Sequence, residues 1–231
     1  MSRESDIDRF YEMIEGLREK LDGYRRLRDC TAGSGWPDRG VYFFFEEGET
    51  RQGSQSLRVT RVGTHALTLV SKTSLWQRLG AHRGRADGGG GDHRGSIFRK
   101  RVGQALMARH EHSEKIARTW GSPRRTISED VRSTELPLER SVSGYIGRMP
   151  FLWVDVPNPP RNREFLEANC IALLSNFKKT PIDPASPKWL GKLSTEHTIQ
   201  ESGLWNTRCV EKIYDPMFLG ELSTFIEGQS R

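Results

Sequence analysis

Between residues 5 and 28, apolar side chains fall at Ile7, Phe10, Ile14, Leu17, Leu21 and Tyr24, with charged residues on the other face. Steps of three and four are the period of an amphipathic helix, so this stretch is expected to be a helix with one buried stripe. The stripe either packs on the rest of the chain or meets a second copy in a short coiled coil; Gly16 and Gly23 argue against a long zipper. The period then changes. Arg39-Gly40-Val41-Tyr42-Phe43-Phe44-Phe45-Glu46 follows the turn-like Gly35-Trp36-Pro37-Asp38 and reads as a buried strand of β-branched and aromatic residues. Leu57-Arg58-Val59-Thr60-Arg61-Val62-Gly63 alternates as a half-buried strand does, and the two strands are expected to form an antiparallel hairpin. Ser74 is a good helix N-cap, and the helix it opens sets Arg78 and His82 four apart on one face.

Residues 83 to 96 are rich in Gly and Arg and read as a loop, without the Gly-Lys-Ser/Thr of a phosphate-binding Walker loop. A helix follows, with Ile97, Phe98, Val102, Ala105 and Leu106 as its stripe. His93, Arg94, Arg99 and Lys100 cluster at its N-terminal end, where cations and backbone amides suit a phosphate, and they are the candidate nucleic-acid contacts. Arg25 to Arg28, at the end of the first helix, either touch phosphate or complement the helix dipole. Residues 111 to 140 read as polar and irregular, with Arg118, Arg124, Arg125 and Arg132 as further cations and Trp120 as a packing aromatic. His110-Glu111-His112 is a poor metal motif, because alternate residues of a helix point apart. Met149 to Val156 is the most apolar run and is expected to be a central strand, ended by Pro157, Pro159 and Pro160, which lead into a helix over 161 to 177. The tail from 179 to 231 carries too many large apolar groups for a disordered segment and is expected to pack on the core or to build part of a dimer or DNA surface.

Composition narrows the class. The 231 residues are 35% hydrophobic and carry a formal charge of +6. A polyanionic partner is favoured by that charge, because neutralised phosphates release counterions. No apolar run is long enough to span a bilayer, no apolar signal region follows Met1, and the expected location is the cytoplasm. The three cysteines, Cys30, Cys170 and Cys209, are isolated and form neither a disulfide framework nor a zinc motif.

A strand carrying Gly40-Val41-Tyr42, a second ending in Val62-Gly63, a helix with Arg78-x-x-x-His82 and a later helix with Leu166-Glu167-Ala168-Asn169 come in an order that resembles the GIY-YIG nuclease superfamily. The last motif is similar to the Leu-Glu-x-Asn of its excision-repair branch. The resemblance covers roughly residues 36 to 177. It departs from the family at Arg61, which stands where the second motif has tyrosine. The literal Tyr145-Ile146-Gly147 lies about a hundred residues after Gly40-Val41-Tyr42, too far for the partner strand of a hairpin, and leads instead into the strand at 151. The resemblance implies an α+β fold, a small antiparallel three-stranded sheet flanked by helices. The N-terminal helix would occupy residues 1 to 30, the nuclease-like domain 36 to 178, and a packed extension 179 to 231.

It also implies a metal-dependent endonuclease acting on nucleic acid, double-stranded DNA in the first place. The alternative is an inactive nucleic-acid-binding module that keeps the fold; a third reading is an assembly protein acting as a homodimer through the first helix. Phosphodiester hydrolysis needs a group to activate water, cations for the developing charge and often a metal held by carboxylate. In this reading Tyr42 takes or relays the water proton, Arg61 supplies positive charge beside it, Arg78 binds the scissile phosphate and His82 relays a proton or orients water, with His65 as a weaker substitute. Glu167 holds Mg²⁺ or Mn²⁺. Around the stripe of Leu166, Cys170, Leu173 and Phe177, Glu167 falls at the rim and Glu164 on the far side. Asn176, or else Asn206, would supply the family's asparagine.

Overall fold

In a computed structural model that describes residues 2–85, 87, 89–110, 114–123, 125 and 127–229, a four-stranded antiparallel sheet has the order β1-β4-β2-β3. The strands are β1 (Arg25–Arg26), β2 (Gly40–Thr50), β3 (Leu57–Gly63) and β4 (Pro150–Asp155). The expected hairpin and the strand at 151 are present, and the sheet gains β1 as a fourth strand.

β2 is the centre because both its faces are apolar. Val41, Phe43 and Phe45 face one core, shared with α1 (Arg3–Lys20), α6 (Pro160–Leu174) and α8 (Phe218–Gly228). Tyr42 and Phe44 face the other, shared with α2 (Leu75–Arg83), α3 (Ile97–Arg109) and α5 (Glu129–Arg148). Alternation of side chains along a strand thus puts Tyr42 on the α2 side. Gly40 is required by the pairing of β2 with β4, since a Cβ there would lie 2.6 Å from the Val154 carbonyl oxygen.

The first helix is shorter than its stripe predicts. It stops at Lys20, and Gly23 takes a positive φ while its N–H closes on the Arg18 carbonyl, a conformation glycine adopts at little cost. Arg25 and Arg26 then pair with Phe151 and Pro150, so they belong to the sheet and not to a helix end. Ile7, Phe10, Ile14 and Leu17 are buried against the sheet, α6 and α8; the stripe that a dimer would use is spent within the chain.

Among the described residues from 114 to 140 most are helical, where an irregular stretch was expected. α4 (Glu114–Thr119) and most of α5 lie there, while Glu111, His112 and Arg124 fall outside the described residues. α5 escapes a hydrophobic pattern because its buried face carries Glu135 and Glu139 and its interior holds Pro137. Tyr145-Ile146-Gly147 occupies its last turn, and the Tyr145 hydroxyl bonds the buried carboxylate of Glu46.

That carboxylate also takes the indole N–H groups of Trp189 and Trp205, each at 2.8 Å, which anchors the chain beyond α6 to β2. The Trp205 N–H reaches the Thr60 carbonyl at 2.7 Å and Asn206 bonds both backbone groups of Val62, so this segment covers the open edge of β3. No helix among the described residues is long and apolar enough to cross a membrane.

The least expected interior feature is ionic. Arg99 is fully buried; its guanidinium bonds the Glu139 carboxylate, the His82 carbonyl (2.9 Å) and the Ser143 hydroxyl (3.0 Å). Arg99→Ala would leave a buried carboxylate without its cation, and loss of one partner of such a pair costs about 3–5 kcal/mol. A large fall in melting temperature is therefore expected for Arg99→Ala, and a melting curve like that of the wild type would contradict the assignment.

Candidate active site

The site forms where β2, β3, α2 and α6 meet. Tyr42 sits opposite Gly63 in the β2–β3 ladder, and its ring lies across that residue: a Cβ on Gly63 would stand 2.4 Å from the phenol oxygen. Glycine at this position is therefore a packing requirement of the tyrosine. The Tyr42 hydroxyl is 2.8 Å from His82 Nε2, and His82 Nδ1 is 2.7 Å from the Ser96 hydroxyl. The spacing of Arg78 and His82 on α2 brings both to this pocket, although His82 is buried and Arg78 only half-buried.

Arg61 lies on the same side of the sheet, opposite Phe44. It is buried, stacks 4.6 Å above the Phe98 ring centre and donates to the Trp205 carbonyl at 3.2 Å; its Nε has no partner among the described residues. Burial lowers the guanidinium from its ordinary value, opposed by Tyr42 and Glu167 and assisted by Arg78. It stays charged, since an arginine does not lose its proton in a protein. Arg78 makes no side-chain hydrogen bond within the described residues, and its Nε is likewise buried without a partner. Two guanidinium groups with unspent donors thus adjoin one carboxylate.

That carboxylate is Glu167, on the sheet-facing rim of α6, whereas Glu164 is exposed. Glu167 Oε1 takes the Thr64 N–H at 3.1 Å, which fixes the side chain beside the end of β3. Burial raises its pKa; Arg61, the Thr64 N–H and Arg78 work against that rise. A partly desolvated carboxylate whose second oxygen takes no hydrogen bond among the described residues is a hard donor suited to Mg²⁺ or Mn²⁺, which fill the rest of their shell with water and phosphate oxygens.

The four expected phosphate contacts are placed otherwise. His93 is buried, stacks on Trp120 at 3.7 Å, donates from Nδ1 to Glu139 at 2.8 Å and accepts the Gly121 N–H at Nε2. Arg94 forks onto Glu135 at 2.7 and 2.9 Å, and Arg99 is buried as described. Lys100 is half-buried, its stem packed where a Cβ on Gly121 would meet it at 2.6 Å. His93 and Arg94, in the turn before α3, and Arg99 within it tie this segment to α5, so these three face Glu139 and Glu135 where phosphate contacts were expected. Asp92, His93 and Glu139 gather ligand-type atoms within 4.8 Å of one another, but Glu139 and His93 already spend theirs on Arg99, Gly121 and each other. Asn176 and Asn206 also serve backbone groups, those of Ile182 and Val62. Ser96 and Thr64 escaped the sequence reading; Ser96 is legible as the N-cap of α3, but its reach to His82 depends on tertiary structure.

A two-faced antiparallel sheet with a tyrosine on its central strand, an arginine and histidine from the next helix and a glutamate from a later one defines a nuclease-like α+β domain. The family model described as a GIY-YIG domain matches residues 1–231, and the chain belongs to that family. Comparison with curated proteins and with solved structures gave no match.

Burial sets a pH limit on this arrangement. His65 is pushed down to about 4, first by burial and then by Arg163, Arg39 and Arg78, against the Asp38 carbonyl bond; His82 lies well below its ordinary range through burial, Arg78, Arg61 and Arg99. The unfolded chain binds these protons near pH 6.5 and the folded chain does not, so stability is intact above about pH 6.5 and falls toward pH 4, by up to ~1.4 kcal/mol per pH unit for each histidine. Denaturant titrations at about pH 7 and about pH 5 check this, and His65→Gln should flatten the fall. An unflattened fall would show that folded His65 takes up the proton.

Proposed function

We propose that this protein is a metal-dependent endonuclease that hydrolyses phosphodiester bonds in double-stranded DNA. The observation that carries the reading is the gathering of Tyr42, His82, Arg61, Arg78 and Glu167, with buried Nε atoms of both arginines left without partners. Unsatisfied buried donors on two cations call for an acceptor, and a phosphate offers oxygens in the geometry a guanidinium fork fits. Arg78, the less buried of the two, binds and orients the phosphate. Arg61, held between Phe98 and the Trp205 carbonyl, keeps positive charge close to Tyr42, where the tyrosine that the family's second motif supplies is missing. Tyr42 takes the proton of the attacking water, its ring fixed by Gly63 below and His82 at its oxygen.

Glu167 would hold a single divalent cation, which supplies Lewis-acid stabilisation of the phosphate charge. Thr64 orients that carboxylate, and the exposed Glu164 has no part in the site. The positive charge of the chain, +6 overall, favours a polyanion as substrate.

Glu167→Gln keeps the shape of the side chain and removes its charge, so Mg²⁺-dependent cleavage should fall by roughly a hundredfold or more while duplex binding persists. Glu164→Gln should cut like the wild type, and Arg78→Ala should lose both binding and cleavage. Undiminished cleavage by Glu167→Gln would overturn the site. Salt-dependent DNA binding by a wild-type protein that cuts no nucleic acid in Mg²⁺ or Mn²⁺ would favour the non-cutting module instead.

A further inference from the structure

We propose that Ser96 is a positioning residue for Tyr42: its hydroxyl donates to His82 Nδ1, which fixes the hydrogen of His82 on Nε2 and makes the histidine a donor to the tyrosine oxygen. The assignment comes from accounting for each hydrogen in a buried chain of four groups. Ser96 caps α3, so its oxygen already accepts the Arg99 N–H at 3.2 Å. Its one other contact within hydrogen-bond distance among the described residues is His82 Nδ1 at 2.7 Å. With Tyr42 as the tyrosinate that takes a water proton, Nδ1–H would leave the Ser96 hydrogen without an acceptor and turn the Nε2 lone pair toward the phenolate, whereas with Nε2–H every hydrogen of the chain has an acceptor. With the hydroxyl donating, Nδ1 is the acceptor, Nε2 carries the hydrogen, and the 2.8 Å contact runs from His82 to Tyr42.

The surroundings of His82 point the same way. Arg99 donates to the His82 carbonyl at 2.9 Å from α3, Arg78 lies one turn earlier on α2, and Arg61 approaches from β3. Tyr42 and Phe44 close the pocket from β2 and Phe98 from α3, and none of these offers an anion to an imidazolium. A route in which Tyr42 passes a proton to His82 would create a cation against three others in a desolvated pocket. The Nε2–H form avoids it. His82 then keeps its hydrogen throughout and, with Arg61, meets the negative charge of a tyrosinate.

The catalytic consequence rests on the nuclease reading. The phenolic proton leaves to solvent before the chemistry. As the water oxygen bonds to phosphorus, one water proton passes to the Tyr42 oxygen, and the departing oxygen leaves with the electrons of its bond to phosphorus and is protonated by solvent. The hydrogen that Ser96 supplies to His82 is never transferred.

Long-range proton–nitrogen correlation spectra of histidine-labelled protein near neutral pH read the tautomer directly, without any cleavage assay. Wild type is expected to show His82 protonated at Nε2, Ser96→Thr to keep that pattern, and Ser96→Ala to give a mixture or the opposite form. In Mg²⁺-dependent cleavage, Ser96→Ala should lower kcat roughly ten- to a hundredfold with KM little changed, and Ser96→Thr should restore it. A wild-type His82 protonated at Nδ1 overturns the proposal, even where Ser96→Ala is too unstable to study through loss of its cap. A cutting enzyme whose Ser96→Ala variant keeps both tautomer and kcat overturns it as well. His82 protonated at Nε2 in a protein that cuts nothing supports the hydrogen assignment and overturns the nuclease reading alone.

Discussion

Arg61 places a charge inside the protein without a carboxylate bonded to it. A buried cation is costly unless its surroundings answer it, and here the answer comes in fragments: one carbonyl of Trp205, the face of Phe98, and the electrostatic reach of Tyr42 and Glu167. Nε remains unsatisfied. Several other features follow from that charge. His82 is kept neutral first by burial, and Arg61 adds to Arg78 and Arg99 in opposing an imidazolium there. Glu167 is held at the end of β3 by a backbone N–H, near enough for the two arginines to offset the burial that raises its pKa. A phosphate entering beside Arg78 would complete a balance that the protein alone leaves short of negative charge.

The same logic is carried to completion on the far side of the pocket. Arg94 with Glu135 and Arg99 with Glu139 are buried pairs whose members are satisfied, and they brace α3 against α5. The brace positions Ser96 at the start of α3, and Ser96 reaches His82. Arg83 and Arg101 also keep a buried Nε without a partner, yet each is bonded through another nitrogen, to the Cys30 carbonyl and to Glu196, whereas Arg61 and Arg78 have no carboxylate bonded to them among the described residues. The two sets are distinguished by partners and not by residue type.

This distinction explains what was legible in the sequence. Strand β2 announces itself through its run of β-branched and aromatic residues, and Arg78 and His82 share a face by spacing alone, so the gathering at Tyr42 was foreseeable from the order of motifs. His93, Arg94 and Arg99 read in sequence as candidate phosphate contacts because their partners Glu135 and Glu139 lie about forty residues away, and no local pattern joins them. Those two glutamates interrupt the apolar stripe of α5, which hid the helix. Strand β1 has only two residues and was merged into the preceding helix, whose end depends on the backbone of Gly23. Asn176 and Asn206 fitted a motif by type, yet both are consumed by backbone groups.

The central claim is that the Tyr42 oxygen, set between Arg61 and the His82 donor, takes the proton of the attacking water. Cleavage of duplex DNA by Tyr42→Phe tests it most directly, because the change removes one oxygen and keeps the ring that covers Gly63. With excess enzyme and Mg²⁺, single-turnover cleavage should fall by roughly a hundredfold or more while duplex affinity stays near that of the wild type. Single-turnover cleavage by Tyr42→Phe at the wild-type rate would contradict the account.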